Sequence, residues 1–169
     1  MAIFALGLGI SCSAPPELPP GANAIVLRVI DGDTIEARFV VDGRNTDETV
    51  RLIGIDTPET KKPHWPVECF GPEASARTTE LLPPRTPVLI RRDQESRDDY
   101  GRLLGYVFRV EDGLFVNETL LTEGLATTLA IPPNDRLAPH FDTIEATARR
   151  SARGMWGSCF AGPAGSVTP

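Results

Sequence analysis

The stretch AIVLRVIDGDTIEARFVV, residues 24–41, reads as two strands around a turn. Residues 24–30 and 34–41 are rich in β-branched and apolar side chains, the second run alternates with period two, and Asp31-Gly32-Asp33 separates them. Working outward, a polar loop over 42–47 leads to a third strand over 49–55, then an irregular loop over 56–68 that contains Pro58, Pro63 and Pro66. Pro72 suits the first turn of a helix running to about Leu82, where Pro83-Pro84 stops it. Strands over 88–92 and 103–110 flank a charged loop, 93–101, and a short helix follows over 116–123. The last helix, over 135–150, sets Leu137, Phe141, Ile144 and Ala148 on one stripe and ends by Gly154. Five strands with helices inserted and appended predict an α+β protein: a five-stranded β-barrel of the OB-fold type with about three α-helices.

At 169 residues the chain is one domain with a tail at each end, and 41% hydrophobic with 24% charged residues places it among globular proteins. The net charge is -6, from 17 Lys+Arg against 23 Asp+Glu. All the basic residues and every acid but Glu17 fall between Arg28 and Phe160, which leaves the central domain at about -5. Binding of nucleic acid through a bulk positive field is thereby excluded. Phosphate chemistry that relies on a few placed cations is not.

The expected organisation is a signal or anchor segment with a Pro-rich linker over 1–23, the folded domain over 24–160, and a small-residue tail over 161–169. The opening MAIFALGLGI is too short to span a membrane but suits the apolar region of an export signal, although no Lys or Arg precedes Arg28. Gly9-Ile10-Ser11-Cys12 resembles a lipoprotein box, with Cys12 as the lipidated residue, so the expected destination is export, either secreted or attached to the cell surface. With Cys12 set aside, Cys69 and Cys159 remain, which allows one disulfide in an oxidising compartment or two free thiols in a reducing one.

Three segments concentrate acids, arginines and turn residues at strand ends: 29–34, 51–59 and Asp99-Tyr100-Gly101-Arg102. Singly, each has a plain explanation as a turn. Together they offer more. Asp33 and Asp56 are hard oxygen donors on separate strand ends, which suits Ca2+, and the spacing is not that of an EF-hand. Arg51 lies among Val50, Leu52 and Ile53, where an arginine must face outward or meet a partner. With Arg102 it can form two guanidinium forks for one phosphate. Glu59 adds a carboxylate able to orient or deprotonate water.

VIDGDT, VRLIGIDTPET, FGPEASA, DYGR and the later GLA, in that order and spacing, resemble the staphylococcal nuclease (thermonuclease) family over residues 24–156. The resemblance implies an OB-fold barrel with three helices and Ca2+-dependent hydrolysis of phosphodiester bonds in DNA and/or RNA, leaving 3′-phosphates. It implies Asp33 and Asp56 as metal ligands with the Thr57 carbonyl, and Asp31 just outside them. It gives Arg51 and Arg102 to the phosphate, Arg102 also to the departing 5′-oxygen, and Glu59 to the attacking water.

The chain departs from the family at the aromatic positions after GLA, where it reads Thr127-Thr128-Leu129-Ala130-Ile131-Pro132. Lost stacking predicts weaker binding or altered base preference unless Trp65 or Tyr100 substitutes. Lys61 and Lys62, just after Glu59, and Tyr100 are the further candidates for substrate contact. The expected partner is a nucleic acid strand, preferably single, met by a monomer with no obligate protein partner. The competing reading is a non-catalytic OB-type module that binds single strands or protein. Such a module could lose any of these side chains, and all are intact.

Overall fold

The computed structural model describes residues 18–60 and 66–159. Cys12, Lys61, Lys62 and Trp65 therefore lie outside the described residues, as do the tail and most of the expected signal segment.

Strands β1 (Ala24–Asp31), β2 (Thr34–Val41), β3 (Arg44–Leu52), β5 (Pro87–Arg91) and β6 (Leu103–Arg109) close a barrel in the order β1-β2-β3-β6-β5. Every pairing in it is antiparallel except β3 with β6, which runs parallel through Val50↔Leu103, Arg51↔Leu104 and Leu52↔Gly105. Closure leaves no free sheet edge. The barrel interior takes one side of each strand: Val26, Ile35, Val50, Leu52, Val88 and Val107 are all fully buried. Truncating any of the leucines or isoleucines in this core to Ala would cost about 2–5 kcal/mol.

Two further strands, β4 (Gly54–Asp56) and β7 (Thr127–Leu129), form a separate antiparallel pair. Helices α1 (Gly71–Leu81), α2 (Val116–Thr122) and α3 (Ala138–Arg150), with the single turn α4 (Met155–Ser158), cover the barrel. The expected five-stranded barrel and three main helices are present. Helix α1 carries Pro72 in its first turn, and α3 buries Phe141 and Ala148 with Ile144 packed beside them.

Three local expectations differ from the structure. The polar segment over 42–47 is not a loop. Asp42 and Gly43 both take positive φ, 50° and 71°, and close a tight hairpin, so β3 already begins at Arg44 and its first half is exposed on the barrel surface. The strand expected over 49–55 breaks at Ile53. Gly54, at φ 79°, redirects the chain, and a Cβ on it would lie 2.5 Å from Phe141 of α3. Strand β7, which receives the redirected β4, spans only three residues and gave no periodic signal.

Asn117 fixes this break from within. Its Oδ1 accepts the Val107 N–H at 3.0 Å, and its Nδ2 donates to Ile53 O at 2.9 Å. A fully buried amide thus ties α2 to β6 and to the end of β3, satisfying backbone groups that the interrupted ladder leaves over.

Candidate active site

Alternation along β3 sends Val50 and Leu52 into the barrel and Arg51 out of it. The break at Ile53 then brings the chain back over that arginine. Arg51 Nη1 donates to Leu52 O at 2.6 Å and to Ile55 O at 2.9 Å. Its Nη2 meets Asp56 Oδ1 at 2.8 Å and Asp33 Oδ2 at 3.1 Å. The Arg51 side chain is 12% exposed, and both of its Nη atoms have partners, so the charge that sequence places inside an apolar strand is compensated.

Asp33 sits in the β1–β2 turn, 7% exposed. Its Oδ2 also accepts the Thr57 N–H at 2.9 Å and the Thr57 hydroxyl at 3.0 Å, and its Oδ1 accepts from Thr34 Oγ1 at 3.0 Å. Gly32 is required here by space: a Cβ would lie 2.6 Å from Thr57 Oγ1. Thr78 of α1 braces the same turn by donating to Gly32 O at 2.6 Å.

Asp31 and Glu59 lie beside this centre. Asp31 Oδ1 accepts from Thr60 Oγ1 at 2.7 Å and from the Gly32 N–H at 2.9 Å. Burial pushes the Asp31 carboxyl up, but the hydrogen bonds donated by Thr60 and by the Gly32 N–H favour its charged form, and it ends below the usual carboxylate range. The loop bearing Glu59 is clasped by Glu68: Glu68 Oε2 accepts the Glu59 N–H at 3.0 Å, and Glu59 O accepts the Glu68 N–H at 2.9 Å. Cys69 follows directly and is bonded to Cys159 across a sequence separation of 90. The two cysteines are paired rather than free.

Arg102 immediately precedes β6, the strand that pairs with β3, and lines the same cleft. Asp98 Oδ2 accepts its Nε–H at 2.7 Å, and Asp98 Oδ1 accepts its backbone N–H at 2.9 Å. Burial raises the Asp98 carboxyl, and its bonds with Arg102 outweigh that and hold it below the ordinary range. Tyr100, 87% exposed, lies with its ring centroid 5.4 Å from the Arg102 guanidinium carbon. Asp31, Asp33, Arg51, Asp56, Glu59 and Arg102 all line one open cleft of about 910 Å³, which Tyr100, Leu129 and Ile131 also border.

Sequence reasoning named the chemistry-bearing groups but missed those that hold them: Thr34, Thr60, Glu68 and Asp98. Asp98 carried the clearest signal, an acid four residues before an arginine in a turn-rich loop. Glu68 carried none, because its partner is a backbone N–H nine residues away.

The donor set suits a hard divalent cation. Burial raises the Asp56 carboxyl, Arg51 opposes this, and repulsion from Asp33, Glu68 and Glu59 adds to the rise, which leaves it above the ordinary value. One guanidinium does not neutralise this group of carboxylates, and the Asp56 side chain is 54% exposed to the cleft. Excess negative charge on oxygens of two strand ends suits a hard divalent ion, whose shell carbonyls and water would have to complete.

Comparison with known proteins fits this geometry. The profile described as "Staphylococcal nuclease homologue" matches residues 49–158. This chain belongs to the staphylococcal nuclease family. It is 41% identical over 136 residues to a thermonuclease of Staphylococcus intermedius, covering 80% of this chain and 77% of that one. With a thermonuclease of Staphylococcus hyicus it shares 37% over 131 residues, 78% of this chain and 73% of the relative. With endonuclease YncB of Bacillus subtilis it shares 40% over 135 residues, 79% of this chain and 61% of the relative. The staphylococcal nuclease reading of the sequence and of the barrel is therefore correct.

Proposed function

We propose that this chain, a nuclease of the staphylococcal nuclease family, cleaves phosphodiesters of DNA and/or RNA in the acidic cleft with Ca2+ as its metal. One observation carries the reading: a single nitrogen, Arg51 Nη2, joins Asp33 and Asp56 in a cleft that Glu59 and Arg102 also line. Asp33 and Asp56 would hold the ion, with the Thr57 carbonyl beside them and Asp31 fixing the surrounding hydrogen bonds. Once bound, the metal supplies Lewis-acid polarisation of a phosphoryl oxygen.

The protein's own groups account for the remaining chemistry. Arg51 donates to the equatorial phosphate oxygens, where charge grows as the fifth bond forms. Glu59 accepts a proton from the attacking water as its oxygen bonds to phosphorus. The P–O5′ bond then breaks, leaving the phosphate on the 3′-oxygen. Arg102 donates hydrogen bonds to the phosphate and to the departing 5′-oxygen, which takes its proton from solvent, since a guanidinium does not give one up.

The substrate is assigned as a single strand, whose bases are free to meet side chains at the cleft, and the enzyme as a monomer. Tyr100 is assigned to a base, which its exposure at the cleft supports, and Lys61 and Lys62 are assigned to the substrate through their position after Glu59. Export follows from the apolar opening and agrees with the paired cysteines, because such bonds persist in oxidising compartments. Attachment through a lipidated Cys12 is the surface-bound version of the same proposal.

The test is cleavage of a 5′-labelled single-stranded DNA in Ca2+ and in EDTA, with the product ends typed by phosphatase treatment. The reading expects Ca2+-dependent fragments whose 3′-ends change mobility on dephosphorylation. Strand binding without cleavage under either condition would instead select a non-catalytic module.

A further inference from the structure

A second cleft, of about 670 Å³, opens on the outer face of β5 and β6 and has the opposite electrostatic character. Arg91, Arg92, Arg136 and His140 line it together with Phe108 and Phe115. In a chain of net charge -6 this gathering of bases is unusual, and the proposed hydrolysis does not use it. Among the described residues, neither Arg91 nor Arg92 has a carboxylate within 4.0 Å. Arg136 reaches Asp93 only at 3.7 Å, and His140 Nε2 meets Glu118 Oε2 at 2.8 Å.

The arginines are also shaped. The Arg91 guanidinium carbon lies 5.0 Å from the centroid of Phe108, and that of Arg136 lies 5.9 Å from the centroid of Tyr106. Phe108 in turn stacks on Phe115 at 4.3 Å and 16°. A guanidinium held over a ring loses little further freedom on binding, and its outer face accepts a planar base while its edge donates to phosphate.

The two clefts share their partition. Asn134 Oδ1 accepts the N–H groups of Gln94 and Glu95 at 2.9 and 2.8 Å, and Asp93 Oδ2 accepts the Arg136 N–H at 3.3 Å. Glu95 and Asn134 line the acidic cleft, whereas Arg92 and Arg136 line the basic one. Three residues of extended chain span at most ~10 Å. The linings of the two clefts are therefore separated along the chain by no more than this distance, at residues 92–95.

Resting on the nuclease reading for the identity of the polymer, we propose that the Arg91–Arg92–Arg136 cleft is a second binding site for single-stranded nucleic acid, gripping the strand beyond the scissile phosphate. It supplies affinity that the acidic cleft lacks, and it acts only on substrates long enough to reach it.

The test measures anisotropy of fluorescein-labelled oligodeoxythymidylates of 4 and 20 nucleotides in EDTA, so that neither cleavage nor Ca2+ contributes. The wild type is expected to bind the 20-mer at least about tenfold more tightly than the 4-mer. Arg91→Gln/Arg92→Gln is expected to lose that advantage and to lower the salt slope by about 1.4, at 0.7 per phosphate on a single strand. Arg136→Gln is expected to lose part of it. Arg44→Gln/Arg85→Gln removes the same charge from exposed positions outside both clefts and should retain it. Equal weakening by both double variants, or no weakening by either, overturns the proposal. So does competition by inorganic polyphosphate as strong, per phosphate, as that of the unlabelled 20-mer. A failure of the nuclease reading would appear separately, as absence of cleavage by wild type in Ca2+.

Discussion

Asp98 grips Arg102 from two directions, through its side-chain Nε–H at 2.7 Å and its backbone N–H at 2.9 Å. A long arginine at the rim of an open cleft would otherwise sample many rotamers. Two charge-assisted bonds to one carboxylate remove that freedom before substrate arrives. Asp98 is a positioning residue in this account. Asp98→Ala should lower kcat on single-stranded DNA by about 10- to 100-fold, the scale of losing a group that orients a functional one. Its urea midpoint should move little, and Asp98→Asn should recover part of the rate. Steady-state kinetics with the unfolding curve of each variant check this.

Gly32 offers a test by space alone. Ala at this position sets a methyl group 2.6 Å from Thr57 Oγ1, so Thr57 must move and its two bonds to Asp33 must lengthen. Gly32→Ala should cost about 1–3 kcal/mol by overpacking and should also weaken Ca2+ binding. Urea unfolding and calcium titration by calorimetry measure the two effects. Lost stability with unchanged calcium affinity would separate Thr57 from the metal site.

The disulfide joins the residue after Glu68 to the C-terminal turn across a separation of 90 residues. Chain entropy assigns such a crosslink on the order of 4.5 kcal/mol. Cys69→Ser/Cys159→Ser should therefore unfold at markedly lower urea than the wild type, and adding a reductant should bring the wild type down to the variant. Identical midpoints for oxidised wild type and variant would show that the link does not stabilise the fold.

Alternation marked β2, and runs of β-branched and apolar residues marked the other barrel strands, including β6, which buries Tyr106 and Val107 on its two faces. Both signals failed where an element is short or polar. The first half of β3 is exposed and reads as a loop until Asp42-Gly43 is recognised as a hairpin turn, while β7 is ordered by β4 and not by its own residues. The candidate site was legible for a different reason. Arg51 is an unlikely residue inside an apolar strand, and Asp33 and Asp56 fall at strand ends. Their convergence on one nitrogen was not legible, because it depends on Gly54 turning the chain under Phe141.

Glu145 gives the fold an acid-sensitive contact away from the cleft. Burial raises its carboxyl, but the Thr128 N–H at 2.7 Å and Arg149 outweigh that and hold it below the ordinary 4.5. A lowered folded-state value means stability that is present above the unfolded value and lost as pH falls through the folded one. Glu145→Gln should thus be less stable than wild type at pH 7, and the gap should narrow as pH drops below 4.5. Urea midpoints of both proteins between pH 7 and pH 3 measure it, and a constant gap would refute the assignment.

The most direct test of the central claim is Ca2+ binding by calorimetry paired with single-strand cleavage, for wild type and Asp56→Asn. Asp56 is half exposed, so the substitution leaves the barrel intact. The account predicts that wild type binds Ca2+ and cleaves only when it is present. It predicts that Asp56→Asn loses both calcium affinity and activity, the latter by at least about a hundredfold. Full activity in Asp56→Asn, or cleavage by wild type in EDTA, would contradict it.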